Sequence, residues 1–238
     1  MVKEKIALYE TDVQYDFMLR GGALFVNGQK ERIVGPYGAE AIMPNVNRLH
    51  DYAVKNGWRV LGSVDRHFYE DAELLRNEGG VFDDHCMNGA IGQLRLDVLE
   101  PQKDVYVRSK DGPLTGIRTY NEEEVDMIVN SGAQIIFEKQ SYDVSTNPNF
   151  REVTEQLLNG GLKKVVVDGV ATDYCVKAAV HALQMKGFQT YVVSDAIEEV
   201  NIDFDGNVDM DFGKKALEKM TEEGAKIVTT KDVLEGRI

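Results

Sequence analysis

Apolar residues fall into two recurring patterns along the chain. Short runs rich in Val, Ile and Phe alternate with longer stretches in which apolar residues recur every three or four positions. The runs read as buried strands and the stretches as amphipathic helices. Strands are expected at Ile6–Tyr9, Trp58–Val64, Asp104–Val107, Gln134–Phe137, Val165–Val167, Thr190–Val193 and Ala225–Val228. Helices are expected at Pro44–Asn56, Phe150–Asn159 and Gly213–Glu223. In the first, Val46, Leu49, Tyr52 and Ala53 share a face, Pro44 suits the start and Gly57 the stop. The acidic run Glu122-Glu123-Glu124 marks a solvated helix start. Residues 65–95 lack periodicity and are rich in Asp, Glu, Gly and His, which predicts a long functional loop. Strands alternating with helices predict an α/β fold: a three-layer sandwich with a central, mostly parallel sheet and helices on both faces. The length of 238 residues suits one domain, 1–238, with an insertion around 108–133.

One stretch organises the rest. The run Val165–Val167 is broken by Gly169, Thr172 or Asp173 can cap a helix after it, and Val176, Ala179, Val180 and Leu183 then recur at helical spacing. Cys175 therefore falls in the first turn of a helix, at the C-terminal end of a parallel strand, where open α/β sheets bind ligands. The helix dipole and free N–H groups there favour a thiolate. A lone cysteine is more often a small buried side chain; the strand, glycine and cap around this one favour a nucleophile. Asp12 and Lys139 each come directly after or at the end of another strand, and the ends of parallel strands share one edge of a sheet, so the three can converge. Asp12 can accept the thiol proton and return it to a leaving group. Lys139 can lower the pKa of the thiol and hold Asp12 charged. Taken singly, a strand-end Asp is commonly a turn residue and a Lys a solvated charge.

A second constellation is Asp65-Arg66-His67 with Asp83-Asp84-His85-Cys86, which holds two of the chain's 4 histidines. Asp-x-His on an extended segment places both side chains on one side. His85 completes a set of two nitrogens and one oxygen, suited to zinc, iron(II) or manganese with positions left open. The plain alternative is two solvated loop histidines. Cys86 is read as packing, and His50 and His181 as ordinary helix residues.

The net charge of −13 argues against nucleic acid or an anionic membrane as partner. No apolar run is long enough to span a membrane. The segment Met1–Leu8 is too short and charged for a signal peptide, and two cysteines make no secreted staple pattern. A cytoplasmic protein with free thiols is expected.

With these residues in view, the sequence resembles the isochorismatase-like cysteine hydrolases and, within them, the nicotinamidases and pyrazinamidases. The resemblance rests on Asp12-Val-Gln-Tyr-Asp-Phe17 with Gly21-Gly-Ala-Leu24, on Asp65-Arg-His67, on His85-Cys-Met-Asn-Gly-Ala-Ile-Gly92 and on Gly169-Val-Ala-Thr-Asp-Tyr-Cys175-Val176. It implies a catalytic triad of Cys175, Asp12 and Lys139, a metal set of Asp65, His67 and His85, and one divalent ion, zinc first and iron or manganese behind it. It also implies a cis peptide before Ala171, with the amides of Ala171 and Cys175 turned toward an oxyanion. The chain departs from the family pattern at two places. Trp-Pro-x-His is here Phe82-Asp83-Asp84-His85, and Asp-Trp-His-Pro is Asp65-Arg66-His67-Phe68. The span from Leu99 to Lys139 is longer than the family's, which makes Lys110 a rival for the lysine.

The implied activity is hydrolysis of nicotinamide to nicotinate and ammonia through a cysteine thioester, with Phe17 and Phe82 sandwiching the ring. The main rival is a hydrolase of the same scaffold acting on a carbamoyl, ureido or other small amide. A vinyl-ether hydrolase is disfavoured because that chemistry dispenses with the cysteine. A non-enzymatic metal- or ligand-binding protein is disfavoured by the intact triad. The acidic stretch Glu122–Asp126 permits contacts between copies of the chain in a homo-oligomer.

Overall fold

Runs of β-branched and aromatic residues with both faces apolar can be satisfied only between two covering layers. The computed structural model, which describes residues 5–30, 34–96 and 104–238, shows that arrangement. The strands are β1 (Lys5–Thr11), β2 (Arg59–Asp65), β3 (Asp104–Val107), β4 (Gln134–Lys139), β5 (Leu162–Val170), β6 (Gln189–Glu198) and β7 (Lys226–Val228). They pair in the order β3-β4-β2-β1-β5-β6-β7, every pair parallel. The strands β1 and β5 at its centre are almost wholly buried.

The helices are α1 (Tyr15–Met18), α2 (Ala39–Lys55), α3 (Glu122–Asn130), α4 (Phe150–Asn159), α5 (Lys177–Met185), α6 (Phe212–Glu222) and α7 (Thr230–Leu234). Ala7, Tyr9, Val165 and Val167 pack with residues of α3 to α6 on one face. Leu8, Val60, Val166 and Val170 pack with α2 and α7 on the other. The expected three-layer α/β sandwich is the observed fold, and all seven expected strands are present.

The differences have local causes. Helix α2 begins at Ala39, one turn before Pro44, which lies inside it. The buried stripe Ala39, Ile42, Val46, Leu49 and Ala53 extends the packed face beyond the proline and outweighs its lost hydrogen bond. Neither Thr172 nor Asp173 caps the helix after β5. Residues Thr172–Val176 form a π-type turn that leads into α5, and Cys175 sits in that turn. The acidic run opens α3 as expected, through a capping box between Asn121 and Glu124. The short helices α1 and α7 are too brief to leave a periodic signal. Leu99 lies outside the described residues. The segment 66–96 holds no strand or long helix and is tied by the bridges His67–Met87 and Leu74–Phe82.

Candidate active site

Parallel strands end together at one edge, and four of them deliver the site. Asp12 lies just past β1, Asp65 ends β2, Lys139 ends β4, and Cys175 lies past β5. The centre is tight because β5 presses against the end of β1. A side chain at Gly169 would place its Cβ 2.0 Å from the Thr11 carbonyl oxygen, and the residue has φ +100°. Only glycine meets both demands. The next peptide bond but one, Val170–Ala171, is cis.

Lys139 is the hub. Its Nζ lies 2.9 Å from Asp12 Oδ2 and 3.6 Å from Cys175 Sγ, and it donates to Asp65 Oδ1. Lys139 and Asp12 are fully buried, and Asp12 Oδ1 accepts from Ser63 Oγ at 2.8 Å. Lys110, the rival lysine, instead pairs with Asp71. Burial alone would push the Lys139 ammonium toward neutrality, but Asp12 and Asp65 overcome it and hold its pKa well above the ordinary value. Burial raises Asp12, opposed by Lys139. Burial also pushes the Cys175 thiol well up; Lys139 pulls it down, but Asp12 and Asp65 add to the rise. Lys139 does pull the Cys175 thiol toward the anion as expected, but burial, which the sequence does not show, pulls the other way and is the larger effect. Full burial costs the anion more than one cation returns.

Asp65 belongs to both clusters. Oδ1 meets Lys139, while Oδ2 lies 3.4 Å from His85 Nε2 and 3.8 Å from His67 Nε2. Both histidines are buried, which excludes the solvated-loop reading. His85 Nδ1 lies 2.6 Å from the Asp83 carbonyl, which leaves Nε2 for the cluster. His67 Nε2 and Glu73 Oε2 are buried, 3.8 Å apart, and neither has a hydrogen-bond partner. Orphaned buried polar atoms of this kind are costly unless something joins them. Two imidazoles with carboxylates fit a divalent ion of the zinc, iron(II) or manganese class. Ligand atoms of Asp65, His67 and His85 lie within 4.8 Å of one another, as a shared ion requires. Gln14 fixes Asp65 from behind, its amide bonding the Asp65 N–H at 2.7 Å and carbonyl at 2.8 Å.

A narrow pocket opens onto Cys175. Its walls include Phe17, Phe82, Tyr142 and Tyr174, with Asp65, Glu73 and His85 along one side. Phe17 and Phe82, the two expected aromatic residues, lie 5.3 and 6.1 Å from the His85 ring. Asp84, a departure from the family pattern, turns to Arg76 and does not line the pocket. Glu73, with Glu70 and Asp84, is among the acidic residues near the metal set in sequence. Tyr142 and Tyr174 escape sequence reasoning, Tyr142 reaching the pocket from beyond β4 and Tyr174 from the turn that holds Cys175. Tyr174, next to Cys175, carries the one available signal. Cys86 and Cys175 are both free. Cys86 packs, with its N–H on Asp16 Oδ2 at 2.7 Å. His181 is exposed on α5, but His50 is a buried partner of Glu10.

Among the described residues no helix is long and apolar enough to cross a membrane. Among curated proteins, none matches this chain. Solved structures of like fold include the pyrazinamidase of Pyrococcus horikoshii in complex with zinc, at TM-score 0.63 and 24% identity over 94% of this chain and 99% of that one. They include N-carbamoylsarcosine amidase from Thermoplasma acidophilum, at TM-score 0.63 and 17% identity over 95% and 96%. A nicotinamidase from Bacillus subtilis aligns at TM-score 0.62 and 20% identity over 94% and 99%. At such identities these likenesses speak for the fold. The isochorismatase domain model matches residues 7–232, nearly the whole chain, and the chain accordingly belongs to the isochorismatase family of hydrolases.

Proposed function

We propose that this protein is an amidohydrolase of the nicotinamidase type, converting a compact aromatic carboxamide such as nicotinamide to its acid and ammonia. The observation that carries the reading is the placement of Lys139 Nζ among Asp12, Asp65 and Cys175 beneath an aromatic-walled pocket. Asp12 takes the Cys175 proton as Sγ attacks the carboxamide carbon. The amides of Ala171 and Cys175 receive the oxyanion, each donor contributing about 3 kcal/mol. Asp12 then gives its proton to the departing nitrogen, which leaves as ammonia, and a thioester remains. Water attacks that thioester while Asp12 accepts its proton; the acid departs and the proton returns to Sγ. Lys139 stays charged and keeps two buried carboxylates compatible with each other.

Asp65, His67 and His85 would hold a divalent ion, with Glu73 beside them as a fourth donor. Such an ion supplies a Lewis-acidic anchor for a ring nitrogen. Phe17 and Phe82 flank the ring. The ureido alternative rests on the altered Phe82-Asp83-Asp84 stretch, of which Phe82 lines the pocket while Asp84 faces Arg76.

The test is ammonia release from nicotinamide, pyrazinamide and an N-carbamoyl amino acid by zinc-loaded protein, with Cys175→Ala beside it. Release from the aromatic amides, abolished in the variant, is expected. Turnover of the N-carbamoyl compound alone would move the substrate to the ureido class. Activity retained by Cys175→Ala would overturn the mechanism.

A further inference from the structure

The two nitrogens of His67 have different surroundings. Nε2 faces the metal cluster without a hydrogen-bond partner, whereas Nδ1 lies 3.3 Å from Asp71 Oδ2. A carboxylate on one ring nitrogen fixes the N–H there, leaves the lone pair on the other, and locks the ring plane. Asp71 is itself held from three directions. Oδ2 also accepts the Phe68 N–H at 2.8 Å, and Oδ1 accepts from the Lys110 ammonium. Lys110 arrives from the loop after β3, far along the chain from His67, and its Nζ sits 4.6 Å from the centre of the Phe68 ring. Arg66 lies 5.1 Å from the same ring, and its Nη1 reaches the Lys110 carbonyl at 3.5 Å and Glu138 Oε2 at 2.9 Å. Arg66 and Phe68 occupy the Asp65-Arg66-His67-Phe68 segment where this chain departs from the family pattern.

We propose that Asp71, clamped by Lys110, is a positioning residue that presents His67 Nε2 to the metal, which makes the 108–121 loop part of the metal-binding apparatus. The inference rests on reading Asp65, His67 and His85 as a metal centre. It explains why a lysine is brought against a carboxylate that the metal cluster does not need for charge. Without Lys110, Asp71 is a buried carboxylate shared between a backbone N–H and a histidine. With it, the carboxylate has one orientation, and so does the imidazole. Removing a partner of a ligating histidine typically weakens metal affinity about 10- to 100-fold.

The experiment is a zinc titration of the chelator-stripped full chain in competition with a chromogenic chelator. Wild type, Asp71→Asn, Lys110→Met and Lys110→Arg are compared, with the melting temperature of each metal-free protein recorded in parallel. The expected result is a Kd weakened by about 10- to 100-fold in Asp71→Asn and by about 3- to 10-fold in Lys110→Met. Lys110→Arg recovers most of the wild-type affinity. Cobalt loading reads the ligand field directly, and the visible absorption of the Asp71→Asn complex is expected to shift. Lys110→Met leaves a folded protein even where Asp71→Asn does not, because Lys110 lies at the edge of the network. Unchanged zinc affinity in a folded Lys110→Met or Asp71→Asn protein overturns the proposal while leaving the metal centre standing. Absence of zinc binding by wild type overturns the metal centre itself, and this inference with it.

Discussion

Two buried charge clusters grow from Glu10 in β1 and from Asp12 just past it, and only the second borders the aromatic-walled pocket. Around Glu10, Oε1 meets His50 Nδ1 at 2.9 Å and Oε2 meets Arg95 Nη2 at 2.6 Å. Arg95 also reaches Asp104 at 2.9 Å and Gln134 at 3.1 Å. Two residues later, Asp12 opens the cluster with Lys139, Asp65 and Cys175. Both clusters are buried, both hold a cation among carboxylates, and both contain groups with shifted pKa values. The Glu10 cluster ties α2, the 66–96 loop and three strands together, and its carboxylate is satisfied at both oxygens. The Asp12 cluster contains a cysteine, borders a pocket, and adjoins candidate metal donors with no hydrogen-bond partner. Perturbed titration is common to both clusters; what sets the Asp12 cluster apart is a cysteine beside an aromatic-walled pocket.

Substitutions can break the comparison. Cys175→Ala is expected to lower ammonia release by about 10⁴-fold or more, because the covalent route is lost. Its melting temperature should stay near that of wild type, since one sulfur is exchanged for a smaller apolar group. Lys139→Met and Arg95→Met then form a matched pair, each removing the cation from one cluster. Each should cost about 3–5 kcal/mol in urea denaturation by leaving a buried carboxylate uncompensated. Under conditions where both variants are folded, only Lys139→Met should lose kcat, by about 10²- to 10⁴-fold. An equal loss in Arg95→Met would show that the two clusters act as one.

The legible part of the molecule is the part with a short repeat. Seven strands are readable from β-branched runs, and α4 from Phe150, Val153, Thr154 and Leu157 on one face. Asp12, Lys139 and Cys175 are legible because the ends of parallel strands share an edge. Other features need three dimensions. Asp71 and Tyr142 lie in aperiodic loops, where sequence distance says nothing about spatial distance. The helix-end position of Cys175 is visible in sequence, whereas its burial, which pushes the thiol pKa up, is not. Helix α2 reads too short because a proline is a strong local signal and a buried stripe crossing it is a weaker one. Asp168, directly after the run Val165–Val167, is a carboxylate placed in a core strand, and that placement is visible in the sequence itself.

Asp168 offers the smallest and most discriminating test. It lies opposite Glu10 in the β1–β5 register, at the irregularity in the β5–β6 pairing, and both its carboxylate oxygens are buried without a hydrogen-bond partner. Burial pushes its pKa well up, Glu10 adds to the rise, and Arg95 offsets only part of it. The folded protein thus keeps a proton that the unfolded chain releases near the ordinary aspartate value of about 3.9. Wherever the folded state holds more protons, stability falls as pH rises. The penalty is therefore absent at pH values below about 3.9 and grows upward until the folded group ionises. Asp168→Asn cannot ionise and escapes it. The variant should be more stable than wild type by about 1–2 kcal/mol in urea denaturation at pH 7. The gap should close as the pH is lowered toward about 4. A variant less stable than wild type at pH 7, with the gap widest there, would mean that Asp168 is ionised and held by Arg95. The Glu10 cluster would then be a charge network with the same internal balance as the Asp12 cluster, and only the cavity and the sulfur would distinguish them.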